Sequence, residues 1–216
     1  MIGKAVHRTG VSHEGPVMQT IYTIGHSNHD ADRFLGLLGR HGVSAVVDVR
    51  SHPYSRFAPH YAYKALQRWL PEAGIAYVFL GRELGARSNN PACYRQGRVQ
   101  FDRLAEEPQF ADGVRRVLEG VRRYRIALMC AEREPLECHR TLLVARRFCE
   151  SGMTVGHIHG NGSLEDHRQL ESRMLAVCGL PEADMFRGRD ELIAQAYALQ
   201  GGRIAYRDET MKGAHE

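Results

Sequence analysis

The chain has 216 residues, 43% hydrophobic and 25% charged, which is the balance of one globular domain that can bury a core without disulfide or metal staples. No apolar run approaches the roughly 20 residues needed to span a bilayer. Residues 1–17 lack the apolar segment of a secretory signal, so no membrane partner is expected and the five cysteines are expected to be reduced thiols of a cytoplasmic protein. A formal charge of +4, from 29 Lys and Arg against 25 Asp and Glu, permits an anionic ligand without demanding nucleic acid.

In chain order, residues 1–17 carry no periodic pattern and are expected to form a disordered extension. Thr20–Gly25 (TIYTIG) reads as the first strand. Phe34, Leu35, Leu37 and Leu38 give the following helix an apolar face, with Asn28 or Asp30 as N-cap and Gly42 as stop. Ser44–Val49 is a buried β-branched run. The next segment, SHPYSRFAPH, is a proline-punctuated loop. A helix over Tyr61–Glu72 and a strand over Ile75–Leu80 follow. The segment 81–100 reads as a long functional or mobile loop, with Cys93 exposed in it. Val114, Val117, Leu118 and Val121 recur at helical spacing. Arg125–Cys130 is a fourth strand, and TLLVARRFCE is a helix closed by Gly152. Thr154–His159 is a fifth strand, and helices are expected near Leu164–Val177 and Arg189–Gln200. Residues 18–200 therefore read as one α/β domain, and 201–216 as a polar tail. Strict strand–helix alternation implies right-handed crossovers. The expected architecture is a three-layer α/β/α open sheet of about five mainly parallel strands, Rossmann-like or rhodanese-like.

Unusual side chains collect at the strand ends: His26 and Ser27 after the first, Asp48 and Arg50 at the second, Arg82 and Glu83 after the third. Cys130 and Glu132 stand at the fourth, and His157 and His159 at the fifth. Ligands of open α/β sheets bind outside the carboxyl ends of the strands, so these residues are expected to share one rim. The segment CAEREPLECHR is the richest. Cys138 precedes a helix whose unpaired N–H groups favour anions and thiolates, which makes it the stronger nucleophile candidate. His139 is a proton carrier or thiolate partner, Glu132 a general acid or base, and Cys130 a second thiol. His26 completes the catalytic candidates. Ser27, Asp48, Arg50, Arg56, Arg82 and Arg140 are the candidates for holding substrate, the arginines through bidentate contacts. A structural Asp48–Arg50 pair and a buried strand cysteine at Cys130 explain the same residues without chemistry. CxxC, HExxH, GxGxxG, Walker A and GxSxG spacings are missing from the sequence, so neither a metal nor a cofactor is expected.

TIGHSNHDADRF, VVDVRSHPYSRF, YVFLGRELGAR, LMCAEREPLECHRTLLVARRF and VGHIHG, in this order, closely resemble the family called domain of unknown function 488, over about residues 18–160. The resemblance implies the fold and a site at His26, Ser27, Asp48, Arg50, Arg82, Cys130, Glu132, Cys138, His139 and Arg140, but no reaction. A looser likeness is to rhodanese, in which a DVR-like strand end meets a later strand–Cys–loop–Arg–helix. Here Arg140 lies ten positions beyond Cys130, longer than the anion-cradling loop of those enzymes. The expected function is an enzyme acting on an anionic or sulfur-containing substrate. The alternatives are a nucleic-acid or nucleotide-binding module using the same arginines, and a redox or metal-binding domain using Cys130 and Cys138.

Overall fold

The computed structural model describes residues 19–54 and 57–211. The expected extension over 1–17 and the candidate Arg56 lie outside these residues. In chain order the elements are β1 (Thr20–Gly25), α1 (Ala31–Arg40), β2 (Ala45–Asp48), α2 (Tyr63–Glu72), β3 (Ala76–Phe79), β4 (Tyr94–Arg95), β5 (Arg98–Val99), α3 (Phe101–Ala105), α4 (Pro108–Gly120) and β6 (Ile126–Cys130). A π-helical stretch over Arg140–Ala145 then runs into α5 (Arg146–Glu150), followed by β7 (Thr154–Ile158), β8 (Leu164–Asp166), α6 (His167–Cys178) and α7 (Arg189–Ile204). The main sheet has the order β3-β2-β6-β1-β7-β8. All its pairings are parallel except the hairpin of β7 with β8.

The period of two along each strand explains the three layers. Tyr22, Ile24, Val46, Ala127 and Met129 face α1 and α2, where they pack with Phe34, Leu38, Leu66 and Leu70. Their alternates Ile21, Val47, Ile126, Leu128 and Cys130 face α4 and α5, against Phe110, Val117 and Phe148. A sheet covered on both faces needs strands apolar on both sides, which is why β6 is an unbroken buried run. A third cluster joins α6 and α7 through Leu170, Met174, Leu192 and Ala196, and seats them on Leu136 and Leu142.

Three expectations change. Leu164–Asp166, expected to open a helix, forms the antiparallel edge strand β8, and the helix starts at His167 on an Asp166 capping box. Three residues are too few for alternation to show in sequence. Within the segment 81–100, Tyr94–Arg95 and Arg98–Val99 pair as the β4–β5 ribbon, and Cys93 is buried, not exposed. Beyond Gln200, α7 continues to Ile204, and Arg207 bridges back to Arg98.

His157, expected at the rim, lies inside the fold. Tyr197 Oη donates to Glu171 Oε1 (3.1 Å), so it accepts from His167 Nε2 (2.8 Å). His167 Nδ1 then accepts from His157 Nε2 (2.9 Å), and His157 Nδ1 accepts from the Thr23 hydroxyl (2.9 Å). Both imidazoles are thereby fixed as neutral tautomers. Burial lowers the proton affinity of His167 to about 4, against the raising effect of Asp166 and Glu165. Burial, with the charges of His167, Arg140, His159 and Arg173, puts that of His157 well below 6.5.

A histidine that binds its proton more weakly when folded contributes its full stability above the unfolded value of about 6.5. That contribution is lost as pH falls towards the folded value, by at most about 1.4 kcal/mol per pH unit per group. The melting temperature is therefore expected to hold near neutrality and to fall steadily between pH 6.5 and 4. A profile flat from pH 7.5 to 4.5 in scanning calorimetry would contradict this assignment.

Candidate active site

Two groups of side chains stand at the carboxyl ends of β1, β2 and β6. The first is built on β2. Asp48, fully buried, accepts from Arg50 Nε (2.9 Å) and the Arg50 backbone N–H (3.1 Å) on Oδ1. On Oδ2 it accepts from Arg50 Nη2 (2.6 Å) and Tyr77 Oη (2.9 Å). Arg50 also donates through Nη2 to the Tyr61 carbonyl (2.8 Å) and through Nη1 to His26 Nε2 (2.9 Å). His26 in turn donates through Nδ1 to the Ser27 carbonyl and stacks on Tyr61 at 4.1 Å. Burial, reinforced by the Arg50 charge, keeps His26 neutral down to about pH 4. Burial opposes the Arg50 charge, but the Asp48 hydrogen bonds outweigh it and raise its proton affinity. Four of the five guanidinium N–H groups of Arg50 are thus committed to the protein, and the residue also lines a cavity. Ser27, whose φ of 49° lies in the left-handed region, hydrogen-bonds Asn28.

The second group is the CAEREPLECHR segment. Gly25 lets the Glu132 carbonyl pass against β1, where a Cβ would stand 1.9 Å from the oxygen. Backbone bonds from His26 and Ser27 to the carbonyls of Cys130 and Ala131 (2.9 Å each) fix the loop there. The loop returns through a turn at Pro135–Glu137 to Cys138, which stands at the start of the π-helical stretch. The Cys138 Sγ accepts the Arg140 backbone N–H (3.4 Å) and donates to Glu132 Oε2 (2.9 Å). His139 places Nδ1 3.7 Å from Cys130 Sγ and 3.9 Å from Cys138 Sγ, and donates through Nε2 to the Val49 carbonyl (3.0 Å).

Arg140, fully buried, donates to the carbonyls of Glu132 (2.6 Å) and Arg133 (3.3 Å). Burial opposes the Cys138 thiolate. The Cys130 hydrogen bond, the Arg140 charge and His139 overcome that and bring its proton affinity well below the ordinary thiol. Burial and the neighbouring Cys138 push Glu132 up, and burial with Cys138 pushes Cys130 up. Burial opposes charge on His139 as well, but Cys138 raises it.

The structure thus brings Cys130, Glu132, Cys138, His139 and Arg140 together. Cys130, Glu132 and His139 open on a cavity of about 280 Å³, walled by Arg50, Ser51 and Arg87. Cys138 is buried behind them and is not among the lining residues. Arg82 lies apart, exposed in an adjoining hollow of about 650 Å³ that shares Ser51, His52 and Arg87 with the first. His159 pairs with Glu165 at the sheet edge (2.9 Å), away from the cavity. The sequence reading missed Arg87, which stacks over Tyr206 at 4.0 Å, and the Val49 carbonyl. Arg87 closes the motif YVFLGRELGAR and was open to view. Tyr206 lay in the expected tail and gave no signal. Cys130, Cys138 and His139 are also the described residues whose donor atoms, within 4.8 Å of one another, could hold a metal ion.

The family model described as domain of unknown function DUF488 matches residues 30–146, more than half of the chain. No curated protein matches, and no solved structure does.

Proposed function

The chain belongs to the DUF488 family, whose description names no reaction, and we propose that it is an enzyme acting on a small anionic or sulfur-containing substrate. The observation that carries this reading is the convergence of Cys130, Glu132 and His139 on one cavity, with Cys138 buried directly behind them. Three ionisable side chains in a core, Cys130, Cys138 and His139, with the exposed Glu132 against them, cost stability relative to apolar residues of the same size, and chemistry is the usual return for that cost. Glu132 lines the cavity and reaches Cys138, so it is placed to carry a proton between the cluster and a bound molecule. Cys130 and His139 face the reacting atom.

Anion binding falls to the exposed Arg87 and Arg82 rather than to Arg50, most of whose donors are held by Asp48, His26 and the Tyr61 carbonyl, or to Arg140, which is fully buried, donates to two backbone carbonyls and does not line the cavity. Arg50 positions the floor by holding His26 and Asp48. A nucleic-acid surface is less favoured, because two adjacent arginine pairs on helices, Arg115 with Arg116 on α4 and Arg146 with Arg147 on α5, are engaged by carboxylates. Arg115 pairs with Asp112 and Glu119, Arg116 with Glu83, Arg146 with Asp102 and Glu150, and Arg147 with Glu150.

A thermal-shift panel of nucleotides, sugar phosphates and sulfur oxyanions tests the reading. A ligand present at 100 times its dissociation constant stabilises the native state by about 2.7 kcal/mol. Arg87→Ala is expected to abolish that shift, and Glu132→Gln to keep the shift while losing turnover. A ligand that stabilises wild type and Arg87→Ala equally would place binding elsewhere and sink the assignment.

A further inference from the structure

We infer that Cys130, Cys138 and His139 form a three-ligand site for a thiophilic divalent cation, zinc by its chemistry, with the remaining coordination position turned to the cavity beside Glu132. The inference takes its location from the reading above, but its argument is independent of any substrate.

The first support is distance. Zinc held tetrahedrally by bonds of about 2.3 Å to sulfur and 2.0–2.1 Å to nitrogen sets those donors about 3.6 Å apart. His139 Nδ1 stands 3.7 Å from Cys130 Sγ and 3.9 Å from Cys138 Sγ, and all three donor atoms fall within 4.8 Å. Little movement is needed to close such a set on an ion.

The second support is what stands behind the ligands. A metal-bound imidazole almost always donates its other ring N–H to a carbonyl or carboxylate, which fixes the tautomer and aims the coordinating nitrogen. His139 Nε2 donates to the Val49 carbonyl at 3.0 Å, so Nδ1 is the atom left facing the sulfur pair. The Arg140 backbone N–H points at Cys138 Sγ (3.4 Å), an approach that also suits a metal-bound thiolate. The guanidinium of Arg140 is fully buried and donates only to carbonyls of Glu132 and Arg133 among its hydrogen bonds. Cys138 donates its S–H to Glu132 Oε2 (2.9 Å) in the metal-free protein, and the ion would take the place of that proton, leaving two thiolates, a divalent ion, an ionised Glu132 and the Arg140 guanidinium with no net charge.

The third support is the open side. Structural zinc sites are closed by four protein ligands, whereas catalytic ones keep three and leave a position for water or substrate. Here Cys130, Glu132 and His139 line the cavity and Cys138 closes the back. Two thiolates and one imidazole suit zinc over the hard cations magnesium and calcium, which prefer oxygen. The spacing Cys-x7-Cys-His hides the site from a search for short chelating motifs, because the loop through Pro135–Glu137 closes it.

The test uses the full chain, stripped with a chelator under reducing conditions, desalted and titrated with Co²⁺. Uptake of one ion per chain with a thiolate-to-cobalt charge-transfer band is expected, and Zn²⁺ is expected to bleach the band, following the order of divalent affinities. Cys138→Ser and His139→Ala are expected to lose the band, whereas Cys149→Ser, at a cysteine outside the cluster, keeps it. Because the variants alter buried residues, a wild-type readout stands beside them. Zn²⁺ should protect Cys130 and Cys138 from alkylation, mapped by mass spectrometry. Natively folded wild type that takes up no Co²⁺, or a band unchanged in Cys138→Ser, would overturn the site. If no ion binds while Arg87→Ala still abolishes a ligand shift, the enzyme reading survives without the metal. If the ion binds and the ligand panel is blind to Arg87, the metal survives without that reading.

Discussion

Asp48→Ala is expected to lower the stability of the domain by about 3–5 kcal/mol, the cost of removing one partner from a buried ion pair. Asp48 is fully buried at the end of β2 and accepts four hydrogen bonds, three from Arg50 and one from Tyr77. Without it the Arg50 guanidinium stays inside the fold with only the Tyr61 carbonyl and His26 as partners. The Tyr77 hydroxyl is stranded as well. A typical domain has about 5–15 kcal/mol to lose, so the variant should unfold at much lower urea or fail to accumulate. The pair itself is worth far less than its disruption, because desolvation of two charges offsets most of their attraction. Asp48→Ala combined with Arg50→Met is therefore expected to recover a large part of the loss. Urea denaturation of the two single variants and the double variant completes the cycle. A loss below about 1 kcal/mol in Asp48→Ala would show that the pair is not the organiser of this rim.

The second large effect is steric. Gly25→Ala would put a Cβ 1.9 Å from the Glu132 carbonyl oxygen and 2.8 Å from its carbon, both backbone atoms that cannot rotate aside. The clash cannot be relieved cheaply. Moving Glu132 breaks its bond from Arg140, and moving β1 breaks the bonds of His26 and Ser27 to the carbonyls of Cys130 and Ala131. Overpacking of this kind costs about 1–3 kcal/mol, occasionally more, and the backbone contact places Gly25→Ala at the upper end. It should also displace Glu132 and Cys138, so cobalt uptake and ligand binding are expected to fail together. Gly36→Ala is the internal control. Gly36 lies in α1 with nothing within 4 Å of an added Cβ, and there alanine should stabilise by about 0.5–1 kcal/mol. Thermal melts of both variants decide the matter, and a Gly25→Ala protein as stable as wild type would refute the close approach.

Much of the fold was legible because apolar periodicity is a local record of which face is buried. Ser44–Val49 and Arg125–Cys130 read as strands since both faces of β2 and β6 within them are covered, and Phe34, Leu37 and Leu38 marked the inner face of α1. The alternation of these runs with helices was enough for the parallel sheet and its two covered faces. The edge strand β8 was not legible, since three residues with one face exposed carry no usable period. Cys93 was misplaced for a related reason: polar neighbours suggested an open loop, but the β4–β5 ribbon folds it inward.

For the candidate site, the sequence by itself determined that Cys130, Glu132, Cys138, His139 and Arg140 lie within one strand–loop–helix segment at a sheet rim. Short separation along the chain keeps such groups near one another whatever the rest does. Only the tertiary structure decided their relations. His157, grouped with the rim by its place near the end of a strand, points instead to His167 and Thr23, because both faces of β7 are covered. Arg50 and Arg140, alike in sequence as anion clamps, are both turned largely to internal partners, while Arg87 is left facing the cavity. The bond from His139 to the Val49 carbonyl joins residues 90 positions apart, and it selects which ring nitrogen meets the two sulfurs. Spacing within a motif fixes the inventory of donors, but their directions depend on carbonyls and charges delivered by distant strands, which no local pattern records.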